Sequence, residues 1–128
     1  MQLTIEKLLQ DKEIIEKATG EKTTKLEIKR LGGEITIKSL TIDKLMGLAQ
    51  QEKDQYKANV KVVYSAVIDP NLKDNNLLKS YSCKSNPYAI VEKIFKPVEI
   101  NLIADKICEL SGLNDVNAND LIIEIKND

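Results

Sequence analysis

Few residues of this chain have the type and spacing that chemistry needs. It holds no histidine, so the commonest general base and commonest metal ligand are missing. Asp69, Asn71, Lys73 and Asp74 come nearest to a calcium loop. Such a loop wants an oxygen donor at its fifth position and glycine at its sixth. Lys73 and Asp74 stand there instead, so the stretch reads as helix-end and turn chemistry. Cys83 and Cys108 form no CxxC pair and read as two reduced thiols, Cys108 on a helix flank and Cys83 in a polar loop. The carboxylate pairs Glu13/Glu16 and Glu92/Glu99 read as solvated helix faces. Gly32-Gly33 lacks the lysine and helix of a phosphate cradle. The nucleophile-elbow, P-loop and dinucleotide glycine signatures are all absent. The expectation is a protein that is not an enzyme and holds no catalytic residues, metal or cofactor. A small enzyme working with Asp, Glu, Lys or Tyr is the weaker alternative.

The elements that would carry these residues form an α+β pattern, mainly α: a small helical domain with one antiparallel β-hairpin. Thr4 caps a helical segment bearing Ile5, Leu8 and Leu9, with Ile14 and Ile15 further on. That stripe either completes the core or forms a partner-binding face, because a short amphipathic terminal element can lie in a groove of another protein. Leu26 and Ile28, then Ile35 and Ile37, alternate with polar residues around Gly32-Gly33. A two-residue turn there sets Ile28 opposite Ile37 and Arg30 opposite Ile35, with the four apolar residues on one face. Thr41 caps a helix whose stripe is Ile42, Leu45, Met46 and Ala49. A second stripe, Tyr56, Val60, Val63 and Val67, ends before Pro70. Asp74-Asn75-Asn76 opens a short helix. Ser85 or Asn86 caps another with Pro87 in its first turn. Lys96-Pro97 opens the last long helix, with Glu99 at its positive end and Ile100, Ile103, Ala104, Ile107 and Leu110 along one face. Gly112 fits the left-handed position after it. Asn117 caps a terminal helix with Leu121, Ile122 and Ile125, or LIIEI is a strand.

A length of 128 residues fits a single domain over 1–128. Its parts are an N-terminal helical segment (1–20), the hairpin (24–38), a helical core (41–112) and a C-terminal tail or helix (113–128). With four tyrosines, one phenylalanine and no tryptophan, the core must be Ile, Leu and Val. Nineteen basic and twenty acidic residues are interspersed, and Arg30 is the sole arginine. Such a surface offers no footprint for nucleic acid or an anionic membrane. No signal peptide or apolar run of spanning length stands out, so a cytosolic location is expected. Interaction is the remaining role. Leu72, Leu77 and Tyr81 are candidate partner-binding anchors in the polar stretch 70–85, or they pin that stretch to the core. The sequence is compatible with an oligomer.

One ordered set of motifs is similar to a known family. Asp69-Pro70-Asn71-Leu72-Lys73-Asp74 is followed by Leu77/Leu78 with Tyr81. Then come Pro87, Val91 to Phe95, Pro97-Val98-Glu99-Ile100, and Leu110-Ser111-Gly112. Arg30-Leu31-Gly32-Gly33 with Ile35-Thr36-Ile37 fits the front half. Over roughly residues 20–113 the chain resembles the XkdN-like tail assembly chaperones of contractile-tailed phages and defective prophages. That family's P-G-E-I and L-S-G-F appear here with Val98 and Leu113. Asp69, Pro70, Asp74, Pro97, Glu99, Ile100 and Gly112 are the matching frame positions. The resemblance implies a non-catalytic chaperone in the cytoplasm of a bacterial host. It would bind the phage tape-measure protein while tail tube subunits assemble, and be absent from the finished particle. The alternative is a structural virion component, such as a baseplate or connector subunit.

Overall fold

A computed structural model describes residues 1–113 and residue 125. The terminal helix or strand expected around Leu121 and Ile122 lies outside the described residues. Along the chain the helices are α1 (Ile5–Gln10), α2 (Lys12–Thr19), α3 (Ile42–Gln51), α4 (Gln55–Ala66), α5 (Asn75–Ser80), α6 (Ala89–Ile94) and α7 (Pro97–Leu110). The strands are β1 (Thr23–Ile28), β2 (Gly33–Lys38) and β3 (Val67–Asp69), in the sheet order β1-β2-β3. The fold is mainly α with a small antiparallel sheet, as the apolar periodicities predict.

The core forms where α4 packs along α7, with α6 and the sheet closing it. Val60, Val63 and Ala66 of α4 meet Ile100, Ile103, Ala104 and Ile107 of α7. Ile90, Val91 and Phe95 join from the α6 segment, and Ile28, Ile35 and Ile37 from the sheet. Among the described residues no polar or charged residue is buried. The expected α7 face, apolar at i, i+3, i+4 and i+7, is therefore the one that packs.

Four local expectations are corrected. The turn is not Gly32-Gly33. Lys29–Leu31 form a 3₁₀ turn, Gly32 takes the left-handed conformation at φ 65°, and Gly33 begins β2. The register is Leu26↔Ile35, Thr24↔Ile37 and Ile28↔Gly33. This slips the expected pairing by an even number of residues, so every side chain keeps its face, while Arg30 is released from the ladder. Second, α4 stops at Ala66 and Val67–Asp69 becomes an edge strand on β2. Val67 is buried in β3, so its apolar character matches the helical stripe without its being helical. Third, α3 is rolled: Leu45 and Leu48 are buried, while Ile42, Met46 and Ala49 stay exposed. Fourth, α6 begins at Ala89 rather than at Pro87, after a turn in which Ala89 donates to the Asn86 carbonyl and Ile90 to that of Pro87.

Candidate interaction surface

Several residues singled out for chemistry have a structural occupation. The Asn71 side-chain oxygen accepts the Lys73 N–H at 3.0 Å, and that of Asp74 accepts the Leu77 N–H at 2.9 Å, capping α5. These oxygens close turns and face no common centre. Pro70 follows β3 and carries the chain into that turn. No cluster of potential metal ligands occurs among the described residues. Cys83 is buried, contrary to the polar-loop reading, and its thiol points at the Tyr81 carbonyl at 3.3 Å. Leu78 and Leu72 draw the loop inward and carry Cys83 with them. Cys108, half-buried on α7, has its pKa pushed up by burial and then by Asp105, so it stays a neutral thiol. Both cysteines are free.

Glu99 departs furthest from the expectation of a solvated face. Its carboxylate accepts the Lys96 N–H at 2.8 Å, satisfying a donor that the helix start would leave open. It also receives Arg30 through a fork: Nε at 3.2 Å from both oxygens and Nη2 at 2.8 Å from Oε1. Arg30 Nη2 donates at 2.7 Å to the Ile94 carbonyl as well. One guanidinium thus ties the hairpin tip to the α6–α7 junction, a bidentate geometry that lysine cannot copy. The hydrogen bond from Arg30 holds the Glu99 carboxyl below the usual glutamate range, helped by the Lys96 N–H. Pro97 fills the first turn of α7, where its missing N–H costs nothing. Ile100, one turn on, is fully buried.

The far end of α7 is closed as tightly. Gly112 has φ 90°. Its N–H reaches the Glu109 carbonyl at 3.1 Å, and the Leu113 N–H reaches that of Cys108 at 2.9 Å, the paired bonds of a Schellman end. The Ser111 hydroxyl donates to the Ile107 carbonyl at 2.6 Å and accepts the Leu40 N–H at 2.9 Å. Asp74, Pro97, Glu99, Ile100 and Gly112 of the motif therefore serve the frame. Tyr64 and Tyr88 add an edge-to-face pair at 4.9 Å, with Lys61 and Lys73 over the rings.

What the frame leaves uncovered is apolar. Of the three candidate anchors, Leu72 is only 1% exposed, Leu77 is half-buried and Tyr81 is 45% exposed. Leu72 is a core residue that pins the 69–74 turn, so it offers no surface to a partner. The larger uncovered face lies on α1 and α2, which bury nothing. Ile5 is 77%, Leu9 68% and Ile14 70% exposed, with Leu8 also in the open. The expectation that this stripe completes the core is overturned. The helices themselves are well made: the Thr4 hydroxyl accepts the Lys7 N–H, and Asp11 ends α1 and starts α2. Periodicity marks these residues as apolar, but it does not say that no described residue covers them.

Comparisons with known proteins fit this picture. No curated protein matches. A solved structure, the crystal structure of the protein yqbn, superposes with a TM-score of 0.58 over 73% of this chain and 87% of its own, at 14% identity. It shares the fold. The family model for phage XkdN-like tail assembly chaperones matches residues 4–126. The match begins with the exposed helices and runs through both motif ends of α7, so the chain belongs to the phage XkdN-like tail assembly chaperone family.

Proposed function

We propose that this protein binds the tape-measure protein of a phage tail during tail tube assembly, without catalysis, in the cytoplasm of the bacterial host. The observation that carries this reading is the uncovered apolar face of α1 and α2, on a chain of the tail chaperone family. A tape-measure protein is long, helical and rich in apolar seams. A short helix presenting Ile5, Leu8 and Leu9 at i, i+3 and i+4 can lie along such a seam. Tyr81, with the edge of Leu77, is a second contact on the same reading. Tail tube subunits would then meet a client kept soluble, and the chaperone would leave before the particle is complete. No helix is long and apolar enough to cross a membrane among the described residues.

Co-expression with the tape-measure protein tests this. The full chain should co-purify with it and raise its soluble fraction, and Leu8→Ser with Leu9→Ser should abolish both while thermal stability holds. A client equally soluble with and without this chain would sink the reading. Mass spectrometry of purified particles separates the structural alternative, since a virion component is recovered there in stoichiometric amount.

A further inference from the structure

The open edge of β1 is self-complementary. In the sheet order β1-β2-β3, β1 has a neighbour on one side only among the described residues. Ser39 donates to the Lys22 carbonyl at 2.7 Å. Alternation along an antiparallel ladder then turns the backbone groups of Thr24, Leu26 and Ile28 toward β2. Those of Thr23, Lys25 and Glu27 point outward, and no backbone bond from another element reaches them among the described residues. Lys25 and Glu27 are exposed, and neither has an ion-pair partner among the described residues. Within the copy, Glu27 stands opposite Glu34, a like-charge pair that is unfavourable across a ladder. Beside the same edge runs a groove of about 260 Å³ between β1 and α7, whose apolar part is Leu26, Ile28, Leu102 and Ile103 and whose other four lining residues are charged. Leu102 is exposed in it.

We propose that this edge pairs antiparallel with the β1 edge of a second copy, about a two-fold axis at Leu26. Charge selects the register. Setting Lys25 opposite itself or Glu27 opposite itself places like charges face to face. The register between these sets Lys25 opposite the partner's Glu27, twice by symmetry, and Leu26 opposite the partner's Leu26. It also matches the outward backbone groups, since Lys25 and Glu27 both turn an N–H and a C=O away from β2. The partner's strand continues the apolar face of the sheet over the groove and covers Leu102. The result is a six-stranded sheet across a closed, isologous dimer. The interface is small, so the dimer is weak and concentration-dependent.

Sedimentation equilibrium of the full chain, from about 10 μM to about 1 mM, reads this directly. The wild-type chain should dimerise. Lys25→Glu and Glu27→Lys should each weaken dimerisation roughly tenfold or more, because each turns two opposite pairs into two like pairs. The double variant K25E/E27K should restore it. Glu27→Lys also relieves the Glu34 clash inside the copy, so its fold should be as stable as wild type or more so, which separates lost pairing from misfolding. As an independent reading, Leu26→Cys with Cys108→Ser should give a covalent dimer under mild oxidation. Opposed residues at a non-hydrogen-bonded site stand about 4.5 Å apart, within disulfide reach. A wild-type chain that stays monomeric, or single reversals that dimerise like wild type, would overturn the proposal. Protection of the edge by the chain's own residues 114–128 would give the monomer outcome.

Discussion

Two helices of this protein are near twins in sequence and opposites in surroundings. Helices α1 and α5 are six residues long, each is capped by a side-chain oxygen, Thr4 or Asp74, and each carries a Leu-Leu pair. In α5, Leu78 is buried and Leu77 half-buried. In α1, Leu8 and Leu9 are both exposed. The local code is equally good in both, so the cause is not local. Helix α5 is held on both sides by core residues, Leu72 before it and Cys83 after it. No described residue of α1 or α2 enters the core at all. Capping and periodicity decide that a helix forms, and the flanking anchors decide whether it is buried. Isolated helices this short are marginal in water. An uncovered α1 with a strong cap therefore reads as a surface that gains its stability on contact.

The sharpest way to break the comparison is to remove the anchors of one twin. Leu72→Ala, which removes the anchor before α5, should cost about 2–5 kcal/mol in denaturant unfolding, since it leaves a cavity in packed surroundings, as Ile100→Ala does in α7. Leu8→Ser and Leu9→Ser, the matching changes in the uncovered twin, should move stability by no more than about 0.5 kcal/mol. If the α1 changes proved as costly as the Leu72 change, the two helices would not differ in the way described. Gly112→Ala should cost about 1–2 kcal/mol, because a side chain is strained at φ 90°. A smaller effect appears in the pH profile. The Glu99 proton is held less tightly in the fold than in the unfolded chain. Its contribution to stability is therefore complete above the unfolded glutamate value of about 4.3 and is lost as pH falls below that toward the lower folded value. Glu99→Gln should flatten that part of the acid limb, and Arg30→Lys should flatten it partly. Both are read by thermal unfolding between about pH 2.5 and pH 6.

Much of the frame was legible because it is written in short-range signals. Thr4, Thr41 and Asp74 each cap as their type predicts. Pro97 opens α7, Gly112 closes it, and the Ile100-Ile103-Ile107 face packs. Where sequence reading went wrong, the signal was degenerate or long-range. Moving the hairpin register by an even step keeps the same faces, so alternation could not choose between a Gly-Gly turn and the 3₁₀ turn. Strand β3 is three residues long, too short to show a period, and it follows directly on a helical stripe. The roll of α3 depends on which neighbours exist, and Leu48 lies outside the stripe that periodicity favoured. Arg30 and Glu99 are 69 positions apart, and only the fold brings them together. A lone arginine and an acid at the third position of a helix were the available hints. The uncovered face was half legible: its residues were marked as apolar, but exposure belongs to the whole fold and not to the segment.

Gly20 sets how that face is aimed. It joins α2 to the body, and a methyl group placed on it would sit 2.7 Å from the Glu16 carbonyl oxygen. Any other residue there must shift either that carbonyl in the last turn of α2 or its own backbone, and so change how α2 leaves the body. At about 1.5 Å per residue, the eight residues of α2 make a lever of roughly 12 Å between Gly20 and α1. A single methyl group could therefore misdirect Ile5, Leu8 and Leu9 without touching them. The cost would appear as lost alignment with a client, while the body unfolded as before.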